Sequence, residues 1–116
     1  MADLYNTVIN QGATWELIVT YNDPQGDPIN ITNYDAAMQL RTSPLARTAA
    51  LTLTNDNGGI VINGAQGTVT ITATATQTSG LIPQKYTYDL ELYAPGGVVT
   101  RLIQGTIIVS AETTRI

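Results

Sequence analysis

Apolar and polar residues alternate along several short stretches of the chain, which is the pattern of half-buried strands. The clearest stretch begins at Trp15, where Trp15, Leu17 and Val19 share one face of the predicted strand and Glu16 lies on the other. Stretches with the same alternation lie at residues 5–10, 36–41, 51–53, 60–62, 69–73, 86–92 and 98–110. Together they predict seven or eight strands.

Residues that favour turns separate these stretches. Residues 22–28 contain two prolines and a glycine and predict a loop, and residues 55–59, rich in Asn and Gly, predict a hairpin that joins two antiparallel strands. Residues 74–81 are the one segment suited to a helical turn, capped by Thr74 or Thr76. In the last strand the apolar register changes near Gly105, which predicts a β-bulge there.

Short strands, frequent turns and no helix-length period predict an all-β fold. We expect an immunoglobulin-like antiparallel β-sandwich of seven to eight strands, formed as a single domain by residues 1–116. The cysteines that accompany tryptophan in antibody domains are absent from the sequence, so packing alone must stabilise the core.

The amino-acid composition excludes several classes of function. The sequence has no His and no Cys, which removes zinc fingers, iron–sulfur clusters and Cys or His nucleophiles. A net charge of -4 provides no electrostatic footprint for phosphate backbones. We therefore expect no catalytic residues, no metal, no cofactor and no nucleic-acid partner.

The N-terminal residues have neither a basic region nor an apolar core, so the sequence predicts no secretion signal and no membrane segment. Only 12% of the residues are charged. A surface with so little charge suits a subunit that assembles. A homo-oligomer is expected, because association covers open strand edges.

Several segments together resemble the small immunoglobulin-like domains of tailed-phage baseplate proteins, such as the N-terminal domain of the upper baseplate protein. The segments that carry the resemblance are residues 11–14, 23–34, 86–92, 97–102 and 105–107. The resemblance covers nearly the whole chain. It implies a virion component that is made in the host cytoplasm and has other virion structural proteins as its partners. It also implies a trimer ahead of a dimer, because phage fibre and baseplate appendages often have threefold symmetry.

Acidic residues offer three candidate sites. Asp23 and Asp27 flank a loop that contains a glycine, and Asp56 lies in another, but neither loop has the ligand count of a dedicated calcium site. Turn formation is the favoured interpretation. Asp89 and Glu91 lie two residues apart on one strand face, which we interpret as a solvated face rather than a catalytic pair.

Aromatic residues offer a sugar-binding alternative. Trp15 is in register with core positions, so we expect it in the core, whereas Tyr34 and Tyr93 are expected to be exposed and form a possible interaction surface. The sequon at Asn30 is incidental without export. Arg101 is expected to pair with Glu91 across a hairpin and to have no further role.

The sequence therefore predicts a non-enzymatic structural or interaction protein of a tailed-phage virion, located in the baseplate, the tail or an attached fibre. The alternative is a carbohydrate-binding β-sandwich module for host surface polysaccharide, with Tyr34 and Tyr93 as the stacking residues.

Overall fold

A computed structural model describes residues 3–115; Met1, Ala2 and Ile116, which the single-domain prediction includes, lie outside the described residues. The elements in chain order are β1 (Asp3–Leu4), β2 (Thr7–Asn10), β3 (Trp15–Thr20), β4 (Asp35–Arg41), β5 (Leu51–Thr54), β6 (Ile60–Asn63), a 3-10 turn (Gly64–Gln66), β7 (Thr68–Ala73), α1 (Ala75–Ser79), β8 (Lys85–Tyr93) and β9 (Val99–Ser110).

The strands form two sheets that pack face to face. The larger sheet has the order β1-β9-β8-β4-β5, with β2 also paired to β9, and the smaller sheet has the order β3-β7-β6. The predicted all-β sandwich is confirmed. As in immunoglobulin-type domains, β3, β6 and β7 form one sheet and β4, β8 and β9 lie in the other, but here β1 and β2 join the sheet of β9. The sequence predicts antiparallel pairing throughout, but β1 and β2 run parallel to β9.

The core lies between the inner faces of the two sheets. In β4 every second residue is buried, namely Ala36, Met38 and Leu40, and β8 buries Leu90 and Leu92 in the same way. Fully burying one such side chain contributes about 1.5–3 kcal/mol. The residues that the alternating pattern marks as apolar are therefore the ones that are buried between the two sheets.

Trp15 is only half-buried, although the sequence predicts it in the core. It packs against the core cluster together with Leu17 and Val19, which are also half-buried. These residues lie on β3, which is an edge strand of the smaller sheet. An edge strand has a neighbour on one side only, so its inward side chains are covered less completely than those of a central strand.

The predicted helical turn forms between β7 and β8. Thr74 is its N-cap: its hydroxyl accepts a hydrogen bond from the backbone N–H of Gln77, and the Gln77 side chain accepts one from the Thr74 N–H. This reciprocal pair is a capping box. Gly80 ends the helix. Of the two predicted caps, the structure uses Thr74.

The prediction of a hairpin at residues 55–59 is wrong. The strands on either side, β5 and β6, belong to different sheets, so the turn crosses between the two layers. Asn57 organises it: its Oδ1 accepts hydrogen bonds from the N–H groups of Thr54 and Gly59. Its Nδ2 donates to the carbonyl oxygen of Thr52. Asn and Gly therefore form a turn here, but the turn does not join two paired strands.

The bulge in β9 is at Leu102, three positions before the predicted Gly105. Leu90 of β8 lies opposite Ile103 and Glu91 lies opposite Arg101, so Leu102 is the extra residue. Gly105 has another role. A Cβ atom at this position would collide with the backbone of Tyr5, which crosses β9 between β1 and β2.

A tyrosine hydrogen bond marks the start of β8. The Tyr86 hydroxyl donates to the carbonyl oxygen of Ile82 at 2.7 Å, which closes the segment that leads from α1 into the strand. A tyrosine at this place that bonds the backbone a few residues upstream is the tyrosine corner of immunoglobulin-type sandwiches. It fixes the corner where the chain passes from the smaller sheet to the larger one.

Candidate functional site

A polar cleft lies on the outer face of the larger sheet. It forms because the residues of β4, β8 and β9 that alternate with the core residues point away from the core. Its volume is about 660 Å³. We call it the outer cleft, and it is lined by Leu4, Asn6, Gln39, Arg41, Pro44, Thr87, Tyr88, Asp89, Glu91, Arg101, Gln104, Gly105 and Thr106.

Charged groups lie along the floor of the outer cleft. Arg101 Nε is 3.3 Å from Asp89 Oδ2, although the backbone register places Arg101 opposite Glu91. The expected Arg101–Glu91 ion pair does not form: the bulge at Leu102 sets Arg101 opposite Glu91, but its guanidinium reaches diagonally to Asp89. Glu91 accepts a hydrogen bond from the Tyr93 hydroxyl at 3.0 Å instead.

The second arginine of the cleft is held in place by its neighbours. Arg41 donates from Nη1 to the carbonyl oxygen of Ala46 at 2.9 Å and from Nη2 to Gln39 Oε1 at 2.7 Å. The first of these bonds ties the loop after β4 to the rim of the cleft. An arginine fixed in this way presents a pre-oriented set of donors.

The carboxylate of Asp89 is less acidic than usual. Burial raises its pKa, the negative charge of Glu91 raises it further, and Arg101 and Arg41 partly offset the increase. The pKa of Tyr93 is also raised, first by burial and then by its hydrogen bond to Glu91. The cleft thus combines guanidinium donors with carboxylate and amide acceptors, a set suited to hydrogen bonding a polar ligand or a polar protein surface.

The structure does not bring Tyr34 and Tyr93 onto one surface. Tyr34, just before β4, is half-buried and packs against the core, and it lines a separate cleft of about 460 Å³ beside Asn55 and Val61. Tyr93 is also half-buried but lies on the outer face of the larger sheet with Glu91. The two rings therefore do not share a surface: Tyr34 packs inward, and Tyr93 lies on the outer face.

The Asp23 side chain makes hydrogen bonds to the backbone of its own loop. Asp23 Oδ1 accepts hydrogen bonds from the N–H groups of Gln25 at 3.0 Å and Asp27 at 2.9 Å, which is an Asx turn. This supports the interpretation of Asp23 as a turn former. Within residues 3–115 no group of three or more acidic side chains lies close enough together to hold a metal ion.

The sequence pattern did not indicate two pairs of exposed apolar residues. Val8 of β2 and Ile108 of β9 are register partners with exposed fractions of 48% and 50%. Ile18 of β3 and Val61 of β6 lie on either side of Thr70 on the outer face of the smaller sheet. Each of these residues is apolar but occupies an outward position of its strand, and the sequence shows this. Only the strand pairing shows that the residues lie near each other.

No protein-family model matches the chain, and no curated protein matches its sequence. Among residues 3–115 there is no helix long and apolar enough to cross a membrane. The fold and the surfaces described above thus define a β-sandwich of immunoglobulin type with one polar cleft on its larger sheet and apolar pairs on both sheets.

Proposed function

We propose that this protein is a non-enzymatic structural component of a tailed-phage virion, in the baseplate, the tail or an attached fibre, and that it acts by assembling with other virion proteins. The observation that carries the proposal is the pairing of exposed apolar side chains on the outward faces of both sheets, such as Val8 beside Ile108. The immunoglobulin-like sandwich agrees with the resemblance to phage baseplate domains.

Burial of these side chains gives assembly its driving force. Each Å² of apolar surface removed from water contributes about 25 cal/mol. Val8 and Ile108 are adjacent, so a single contact covers both. The low charge of the protein, 12% of its residues, also means that little charge must be desolvated when a partner docks.

Mass spectrometry of purified particles tests the virion assignment. The chain is expected among the virion proteins after the particles are banded by density, at a stoichiometry reproducible between preparations. A non-structural phage protein from the same lysate serves as the contamination control. The proposal is overturned if the chain is abundant in the infected-cell lysate and no more abundant in the particles than this control.

A charge substitution tests the apolar pair. Ile108→Lys places a charge beside Val8 and is expected to reduce incorporation into particles several-fold. Val98→Lys is the matched control, because Val98 is 67% exposed and lies just before the start of β9, at the opposite end of that strand from Ile108. Equal incorporation of the two variants would contradict the role of the Val8–Ile108 surface.

A second candidate function is carbohydrate binding, favoured by the outer cleft. Sugars are bound by planar polar side chains that act as donors and acceptors, and the cleft offers such groups beside the half-buried ring of Tyr93. A glycan array tests this function, with Arg101→Ala expected to abolish binding and Tyr34→Ala, which lies outside the outer cleft, expected to leave it intact. The absence of any bound glycan on the array would contradict it.

A further inference from the structure

The edge of β3 is the longest unbroken open edge in the described part of the chain. β3 pairs with β7 on one side, and no described strand pairs with it on the other. The remaining edges are protected or short. Asn57 bonds the outer edge of β5, the segment formed by β1 and β2 is broken at residues 5–6, and β6 has 4 residues against 6 in β3.

The alternating hydrogen bonds of β3 determine which of its residues have unpaired backbone groups at the open edge. Tyr21, just after the strand, donates its N–H to the Gly67 carbonyl at 2.8 Å, on the β7 side. Residues two and four positions earlier point the same way. Glu16, Ile18 and Thr20 therefore direct their N–H and C=O groups to the open edge, where an added strand would find them.

We propose that β3 pairs antiparallel with β3 of a second copy of this chain, about a two-fold axis at Ile18. In this register Ile18 lies opposite the partner's Ile18, and Glu16 lies opposite the partner's Thr20. All three outward-pointing residues of each copy are then hydrogen-bonded. Sliding either strand by two residues leaves one of the three without a β3 residue opposite it, so this register makes the most hydrogen bonds between the two β3 strands.

The side chains agree with this register. Glu16 meets a threonine hydroxyl that can donate to it, and two glutamates do not lie directly opposite each other, an arrangement that would be destabilising. Ile18, which is 59% exposed, packs against its symmetry mate. The row Val61–Thr70–Ile18 on the outer face then continues across the axis into the same row of the second copy.

The inner face gains a contact as well. The half-buried Trp15 comes opposite the partner's Tyr21, and the two rings cover each other at the sheet junction. The smaller sheets of two copies become one six-stranded sheet. This arrangement is isologous and closed, so it gives a dimer in place of the trimer expected from the sequence.

This inference deepens the proposed assembly role, and it rests on that role only for its biological setting. Dimerisation is measured on the purified protein, whereas the virion assignment is measured on particles. Failure of one measurement therefore leaves the other standing.

Cysteine cross-linking tests the register, because the sequence has no cysteine of its own. Residues in a hydrogen-bonded antiparallel pair have Cα atoms about 5.5 Å apart, within disulfide reach. Ile18→Cys is expected to form a disulfide-linked dimer under mild oxidation. Glu16→Cys alone and Thr20→Cys alone are expected not to, and an equimolar mixture of these two variants is expected to give the mixed dimer.

Sedimentation equilibrium tests the dimer itself. The wild type is expected at twice 12.4 kDa, and Ile18→Lys is expected to weaken the dimer about tenfold or more, because it sets two ammonium groups opposite each other. Val61→Lys is the matched control, on the same face but at the far edge, and circular dichroism verifies that both variants fold. A monomeric or trimeric wild type, equal loss in both variants, or cross-linking of Glu16→Cys with itself would overturn the proposal.

Discussion

The buried hydroxyl of Thr78 is predicted to hold α1 against the turn between β2 and β3. Its side chain has an exposed fraction of 0%. The hydroxyl accepts a hydrogen bond from the Gly12 N–H at 3.0 Å and lies 2.9 Å from the Ala13 carbonyl oxygen, to which it donates. Thr78→Val keeps the shape of the side chain and leaves both backbone groups without their partner.

The cost follows from these two contacts. An unsatisfied buried group costs about 1–3 kcal/mol. The turn is only partly buried, so the lower end of this range, about 1 kcal/mol, applies to each of the two backbone groups. Thr78→Val is therefore expected to lower the free energy of unfolding by about 2 kcal/mol. Thr78→Ser keeps the hydroxyl and loses one methyl group, a change of about 1 kcal/mol. Valine and serine have similar helix propensities, so the difference between the variants reports the hydrogen bonds.

Urea denaturation at pH 7, followed by circular dichroism, measures both changes. A chain of 116 residues has an unfolding entropy of about 0.24 kcal/mol/K, so the expected losses correspond to about 8 °C and about 4 °C in Tm. A valine variant as stable as the serine variant, or more stable, would refute the reasoning. It would mean that water replaces the hydroxyl at Gly12 and Ala13 without penalty.

Three further predictions concern other parts of the molecule. Burial raises the pKa of Tyr88 to about 12; the unfolded chain ionises first, so stability should fall as pH rises from about 10 to about 12, and Tyr88→Phe should lack this part of the fall in pH-dependent urea unfolding. The raised pKa of Asp89 makes its contribution largest at low pH and lost as pH rises through that pKa. Asp89→Asn should therefore compare more favourably with the wild type at pH 7 than at pH 3, and the opposite trend would contradict the pKa direction. Asp23→Ala should lower stability by about 1 kcal/mol equally in EDTA and in millimolar calcium; a calcium-dependent rise in Tm that requires Asp23 would show a metal site.

The parts of the fold that follow from local alternation were predictable. Met38 and Leu90 are buried because each lies in the apolar phase of a strand, and Thr74 caps a helix because its side chain reaches an amide three residues on. The turn at residues 55–59 was not predictable in the same way. Its local conformation suits Asn and Gly, but whether the next strand joins the same sheet depends on contacts far along the chain.

The outer cleft was only partly predictable. Alternation places Asp89 and Glu91 on the outward face, but it does not say which strand lies beside them or in what register. The bulge at Leu102 puts Arg101 on the outward face, opposite Glu91 and within reach of Asp89, and a bulge of one residue leaves almost no trace in a strand pattern. Tyr34 lies outside the regular strands, so the alternation of apolar and polar residues could not predict which way its ring points.

The parallel pairing of β2 with β9 sets the order in which the protein can fold during synthesis. Thr7 pairs with Ile107 and Ile9 with Val109, so each residue of β2 waits for a partner made 100 residues later. At a translation rate of about 5–20 residues per second, that wait is about 5–20 s. During it β2 has no strand partner, so Ile9 is not yet held in the core and both edges of the strand stay open to pairing elsewhere.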